Sequence, residues 1–172
     1  MQPLKTYVLS IFTALICAFP HITYADTIPS PSGDIILTVT GAGITPNQGD
    51  ALVFDRETLM ALGMEKIETT TIWTEGTQSF EGVPLSALTA VLNVTDGTIL
   101  ATAINDYTVE IPFSDAVSGG PIIAMRHNEK EMSVREKGPL WIIYPYDQSA
   151  RYRSDVIYSR SIWQLDRIQI VE

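Results

Sequence analysis

The sequence predicts a single α+β domain, mostly β with a few short helices. Three observations carry this. Runs rich in Ile, Val and Thr recur between Gly, Pro and Asn-Asp punctuation, as in IILTVT at 35–40 and LWIIY at 140–144. Helical spacing of leucines is confined to two short stretches, one around Leu59 and one around Leu88. With 172 residues, 45% of them hydrophobic and 18% charged, the chain has the size and composition of one globular unit rather than a disordered or fibrous chain.

The first 25 residues read as an export signal. Lys5 is the only charge in residues 1–6, an apolar run follows over 7–19, and Pro20 precedes the small-residue site Thr23-Tyr24-Ala25, so cleavage is expected after Ala25. The apolar run is about a dozen residues, short of the roughly 20 that a membrane-spanning helix needs. Ile16 stands just before Cys17, where lipid attachment calls for a small residue, which argues against a lipoprotein. Residues 26–33, Pro- and Ser-rich, read as a flexible leader, and 34–172 as the domain.

Within the domain, 35–40 is expected as a first strand, stopped by Gly41 and Gly43. Asp55 can cap a short helix that presents Leu59 and Leu62 on one face and stops at Gly63. Consecutive threonines and Trp73 favour a strand over 67–74. Pro84 then suits the first turn of a helix with a buried stripe of Leu85, Leu88 and Leu92. Strands at 99–104 and 107–111 flank an Asn105-Asp106 turn. A helical turn capped by Ser114 is expected over 113–117, and strands over 121–125 and 140–144, the second apolar enough to be buried. Residues 147–161 read as a long polar loop, and 162–171 as a closing strand. In that strand Trp163 and Leu165, then Ile168 and Ile170, alternate in two registers offset by one, as a bulge produces. The alternation places Trp163 in the core.

Counting excludes much chemistry. The chain carries 20 Asp and Glu against 11 Lys and Arg, a net charge of -9, and signal cleavage removes Lys5 and no acid; such a surface repels nucleic acid. Cys17 leaves with the signal, so the mature domain has no thiolate, and His127 is its one imidazole. His127 stands in the charged turn RHNEKE, and no G-x-S-x-G or other nucleophile context accompanies it. These residues point away from an enzyme.

Five motifs in one order carry a family resemblance: SFEGVPLSALTAVL from Ser79, Asn105-Asp106-Tyr107 running into VEIP, RHNEKEM from Arg126, Lys137-Gly138-Pro139-Leu140 with Pro145, and the closing SIWQLDRIQI. Together they resemble the molybdopterin-binding domain of sulfite-oxidase-type oxidoreductases, over nearly the whole mature chain. The resemblance implies a sulfite-oxidase-like molybdopterin-binding fold. Catalytic members hold molybdenum through a cysteine in the strand just upstream of G-V-P-L; here that strand reads ETTTIWTEG, so no molybdenum is expected. The family's basic phosphate loop is replaced by SARYRSD. The chain looks like a short, exported, cysteine-less branch whose stand-alone domains bind a free pterin, a tetrahydropterin or similar. Such domains report it to the periplasmic sensor domain of an inner-membrane cyclic-di-GMP synthase or hydrolase. Two alternatives stay open: a molybdopterin-dependent oxidoreductase with a non-thiolate metal site, and a ligand-free periplasmic structural module.

A pterin presents a π face and an aminopyrimidinone edge, so its site calls for an aromatic platform and a carboxylate. Trp73 and Glu75, at the end of the strand where catalytic relatives keep their metal ligand, are the first candidates; a core tryptophan is the alternative for Trp73. Trp141 is intermediate between core and site. Asp106 and Tyr107 can serve the ligand, although a hairpin turn explains them as well. Tyr144, Tyr146, Asp147, Arg151, Tyr152, Arg153 and Asp155 crowd one loop region after a buried strand, a common place for binding groups, with a solvated loop as the alternative.

Overall fold

The computed structural model describes residues 28–92 and 94–171. The expected export signal and cleavage site lie outside the described residues. Ten strands and three short helices follow in order: β1 (Leu37–Gly41), β2 (Leu52–Phe54), α1 (Arg56–Met60), β3 (Glu65–Thr70), β4 (Thr77–Pro84), α2 (Leu85–Val91), β5 (Thr98–Ala103), β6 (Thr108–Pro112), β7 (Ile122–His127), β8 (Lys130–Glu131), β9 (Trp141–Ile143), α3 (Asp155–Arg160) and β10 (Leu165–Val171). The expected mostly-β α+β class is therefore found. Among the described residues no helix is long and apolar enough to cross a membrane.

Two five-stranded sheets share one hydrophobic core. The first has the order β2-β1-β10-β5-β6, with β1 and β10 parallel and the other neighbours antiparallel. The second runs β3-β4-β7-β8, with β9 pairing β7 along Ile122–Ala124. β1 and β5 alternate buried and half-buried residues, while Trp141, Ile142 and Ile143 of β9 are all buried, as an uninterrupted apolar run demands. Gly82 is required by packing: a Cβ there would overlap the Ile123 carbonyl of β7.

Local signals account for several elements. Asp55 caps α1 in a full capping box, accepting from the Thr58 N–H while the Thr58 hydroxyl accepts from the Asp55 N–H. Its second carboxylate oxygen accepts from the N–H groups of Ser32 and Gly33, and Asn47 holds the carbonyl of Pro29. The described part of the leader is thus hydrogen-bonded to the domain. These bonds hold the Asp55 carboxyl well below the usual carboxylate range. Asp55→Ala should therefore lower the melting temperature at pH 7. That difference should shrink as the pH falls below about 3.9, where the carboxylate of the unfolded chain protonates first and the native advantage is lost. Thermal melts at pH 7 and pH 3 check both parts.

Several expectations are corrected. β3 ends at Thr70 rather than Thr74, because Thr71 bonds the Trp73 N–H and the Thr74 hydroxyl, and these local bonds replace the ladder. β2 and β4 form where no strand was expected. The helical turn at Phe113–Asp115 follows Pro112 and receives no side-chain cap from Ser114. The 147–161 stretch is not one loop: it holds a 3-10 turn at Ala150–Tyr152 and α3, capped by Ser154 with Asp155 in the first turn and Arg160 in the last. The closing bulge is present, as a register shift between Leu165 and Arg167.

Trp163 is the largest departure, since it precedes β10 and is 37% exposed. Its segment joins the two sheets instead of extending one of them. The N–H of Ile142 in β9 donates to the Ile162 carbonyl, that of Leu165 donates to Leu140, and that of Ile104 donates to Gln164. With backbone bonds going to both sheets, the segment has no single pleat to set the direction of its side chains.

Candidate functional site

Three tryptophans from distant parts of the chain meet at this seam. Trp73, in the loop between β3 and β4, lies 5.7 Å from Trp141 and 5.8 Å from Trp163, ring centre to ring centre, and 5.9 Å from Tyr158 on α3. Tyr146 is the fourth neighbour, at 6.3 Å. All four contacts are edge-on, with interplanar angles of 62–86°, so none of these rings takes the parallel stacking position on Trp73. Trp73 is half-buried.

Beside the cluster opens a cleft of about 410 Å³, walled by Trp73, Tyr107, Tyr158 and Trp163 and provided with polar groups by Asn105, Ser159 and Ser161. This size is within the range of small-molecule sites, and the mix of aromatic wall and few polar groups is typical of them. Ser161 anchors the floor: its carbonyl accepts from the Trp141 indole N–H at 3.1 Å, and its hydroxyl accepts from Tyr146 at 2.7 Å while donating to the Ile157 carbonyl. Burial pushes the Tyr146 phenol up to about 12, so it remains a donor to Ser161 at ordinary pH.

Asp147 anchors the strand end that leads to Trp73. Its carboxylate accepts from the N–H of Thr70 at 2.6 Å and from the Thr70 hydroxyl at 2.8 Å, while its own N–H donates to Thr69. These bonds hold the Asp147 carboxyl below its ordinary value. They clamp the end of β3, three residues before Trp73, to the segment after β9. Asp147→Ala should weaken any ligand of the cleft several-fold and alter tryptophan emission, whereas Asp155→Ala, on an exposed helix end, should change neither. Fluorescence titration of the two variants side by side measures this.

The residues proposed from sequence do not form one site. Trp73 and Tyr107 line the cleft. Trp141 is fully buried and does not line this cleft; it is among the residues around a second one. Glu75 is exposed in the β3–β4 loop, where its carbonyl accepts from Gln78, and it does not line the cleft. Asp106 has a positive φ of 66° in the hairpin turn, and its carboxylate pairs with Arg167 at 2.6 Å. Neither carboxylate lines the cleft, whereas Asn105, the neighbour of Asp106, does.

Tyr144 is buried and donates to Asp115 at 2.8 Å, and Arg160 pairs with the same carboxylate at 2.9 Å, a structural lock rather than a binding group. Burial and the adjacent Asp115 raise the Tyr144 phenol far above its usual range. Arg151 lies against the ring of buried Tyr152 at 4.5 Å, and both border a separate depression of about 240 Å³ with Ser114 and Asp115. Arg153 and Asp155 are exposed.

Asn105, Tyr158, Ser159, Ser161 and Trp163 were missed. Tyr158, Ser159 and Ser161 were hidden by reading 147–161 as a loop, although Ser154 before an acidic first turn and Arg160 at the end are ordinary helix start and stop signals. Among the described residues no group of three or more His, Asp or Glu side chains converges as a metal site.

The fold and the cleft define a mostly-β α+β domain with an aromatic-walled cleft at the seam of its two sheets. No family model matches the chain, and no curated protein matches it.

Proposed function

We infer that the cleft walled by Trp73, Tyr107, Tyr158 and Trp163 binds a free, reduced pterin. In this reading the protein is a non-enzymatic, exported sensor of the periplasm. It reports ligand to the periplasmic domain of an inner-membrane enzyme that makes or hydrolyses cyclic-di-GMP. The observation that carries the ligand class is a half-buried tryptophan, Trp73, that lines a cleft of about 410 Å³ and whose four aromatic neighbours all meet it edge-on. A flat bicyclic ring suits that position, and the Asn105 amide, whose oxygen accepts from the Tyr107 N–H at 3.3 Å, has its NH2 donors to offer to acceptors on the pterin edge. The motif resemblance to molybdopterin-binding domains supports the same ligand class and supplies the signalling partner.

The test is direct. Protein recovered from the periplasm should begin at Asp26 and release a stoichiometric pterin on denaturation, detected by mass spectrometry. Ligand-free protein should show saturable quenching of tryptophan emission by a tetrahydropterin, and its affinity for the partner's periplasmic domain should change with pterin bound. A protein that yields no pterin and shows no saturable quenching does not have this function. Stoichiometric molybdenum would replace it with the oxidoreductase reading.

A further inference from the structure

A sheet edge offers unpaired backbone groups to any extended chain, and most edges of this protein are closed. Asn47 covers β2: its amide oxygen accepts from the Val53 N–H at 2.8 Å and its NH2 donates to the Val53 carbonyl at 2.9 Å. β3 ends under Asp147 at Thr70 and carries the exposed Lys66–Glu68 ion pair, charges of the kind that blunt an edge. β8 is two residues long, and β9 is bonded along its outer side by the segment before β10. That leaves β6, the last strand of the first sheet.

The groups that β6 offers follow from its pairing with β5. At the two ends of the hairpin the Ala103 N–H donates to Tyr107 and the Phe113 N–H donates to Gly97, in one register with Thr102 opposite Thr108 and Thr98 opposite Pro112. Antiparallel pairs alternate between bonded and non-bonded, so Val109 and Ile111 turn their amides to β5 while Thr108 and Glu110 turn theirs outward. The 2.8 Å contact of the Thr102 and Thr108 hydroxyls fits a non-bonded pair, in which side chains approach more closely. Among the described residues no side chain or loop takes up the N–H or C=O of Thr108 or Glu110. Alongside, a groove of about 450 Å³ between β6 and α3 is lined by Tyr107, Val109, Glu110, Val156, Ser159 and Arg160. Tyr107 and Val156 are more than half exposed. Tyr107 and Val109 stand on one face of β6 and Glu110 on the other. Arg160 pairs with Asp115 at 2.9 Å, which leaves Glu110 as the groove's charge without an ion pair among the described residues.

We propose that β6 and α3 form a docking edge for an extended, cationic segment of a partner protein, which adds as a further strand beside β6. Its backbone bonds to Thr108 and Glu110, its apolar side chains lie on Tyr107 and Val156, and its alternate, basic side chains meet Glu110. Charge selects this occupant over a second copy of the chain. Pairing β6 with itself about its centre sets the two Glu110 carboxylates opposite or diagonal to each other, in chains of net charge -9. The edge does not depend on any ligand of the cleft.

The probe is an extended peptide of alternating valine and lysine, titrated into the protein and followed by amide NMR shifts and hydrogen exchange. In the free protein the Thr108 and Glu110 amides should exchange freely while those of Val109 and Ile111 are protected; saturation with the peptide should slow the first two by roughly tenfold or more. Glu110→Lys and Val156→Asp, both at exposed positions, should each weaken the peptide by roughly fivefold or more. Glu68→Lys, the same charge reversal on the closed edge of β3, should leave it unchanged. Tyr107 and Ser159 line the ligand cleft as well and are kept intact, so the outcome stands apart from pterin binding. Absence of saturable shifts overturns the proposal, as does binding without protection of Thr108 and Glu110, or equal weakening by Glu68→Lys. Protection of the same amides that rises with protein concentration alone, with a dimer in sedimentation, overturns it in favour of a second copy.

Discussion

Trp141→Ala should lower the stability of the domain by about 3 to 5 kcal/mol, the range for truncating a buried aromatic. Trp141 is fully buried, packs edge-on against Phe80 at 5.4 Å and Trp73 at 5.7 Å, and donates its indole N–H to the Ser161 carbonyl. Truncation leaves both a cavity and an unpaired buried carbonyl, so the two penalties act together. A natural domain is stable by only about 5 to 15 kcal/mol, and a loss of this size therefore removes a large share of it. Urea denaturation of the variant gives the difference. Trp141→Phe, which restores most of the volume but not the donor, should recover only part of the loss. A stability within about 1 kcal/mol of the parent would mean that the aromatic seam does not join the two sheets.

The second large effect is on ligand affinity. If a pterin stacks on the wall, Trp73→Ala and Trp163→Ala should each weaken it by about 1 to 3 kcal/mol, or roughly five- to 150-fold, by analogy with bases stacked on aromatic side chains. The variants should differ in stability. Trp73 is set among four rings and its removal disturbs the core, whereas Trp163 is 37% exposed and should cost much less than Trp141→Ala. Trp163→Ala is therefore the cleaner test. Quenching titrations with a tetrahydropterin, run with thermal melts, separate binding from folding. Unchanged affinity in both variants, with cooperative melting intact, would place the ligand outside this cleft.

Much of the fold was legible because its signals are local. The Leu85, Leu88 and Leu92 stripe gives α2 directly, Asp55 before an apolar pair gives α1, and the offset alternation around Leu165 gives the bulge. Each of these depends on spacing along a few residues. β4 escaped because SFEGVP mixes Glu, Gly and Pro into a strand; its pairing with β3 and β7 outweighs the weak propensity, and Gly82 is there for a backbone contact with β7.

The sequence by itself determined the mostly-β α+β class, the short helices and an acidic chain whose one cysteine is Cys17, because composition, capping and periodicity act over one turn or one strand. It also supplied Trp73 and Tyr107 as candidates. Only the tertiary structure decided that Trp163 faces a cleft instead of the core, that Glu75 and Asp106 stand away from it, and that Tyr144 and Tyr146 are internal locks. The physical reason is that such a wall is made of side chains up to 90 positions apart, from the β3–β4 loop, β9, α3 and the segment before β10. Their orientation is set by hydrogen bonds to both sheets at once, as at Ile162, Gln164 and Ser161, and no periodicity along one element encodes a residue held between two.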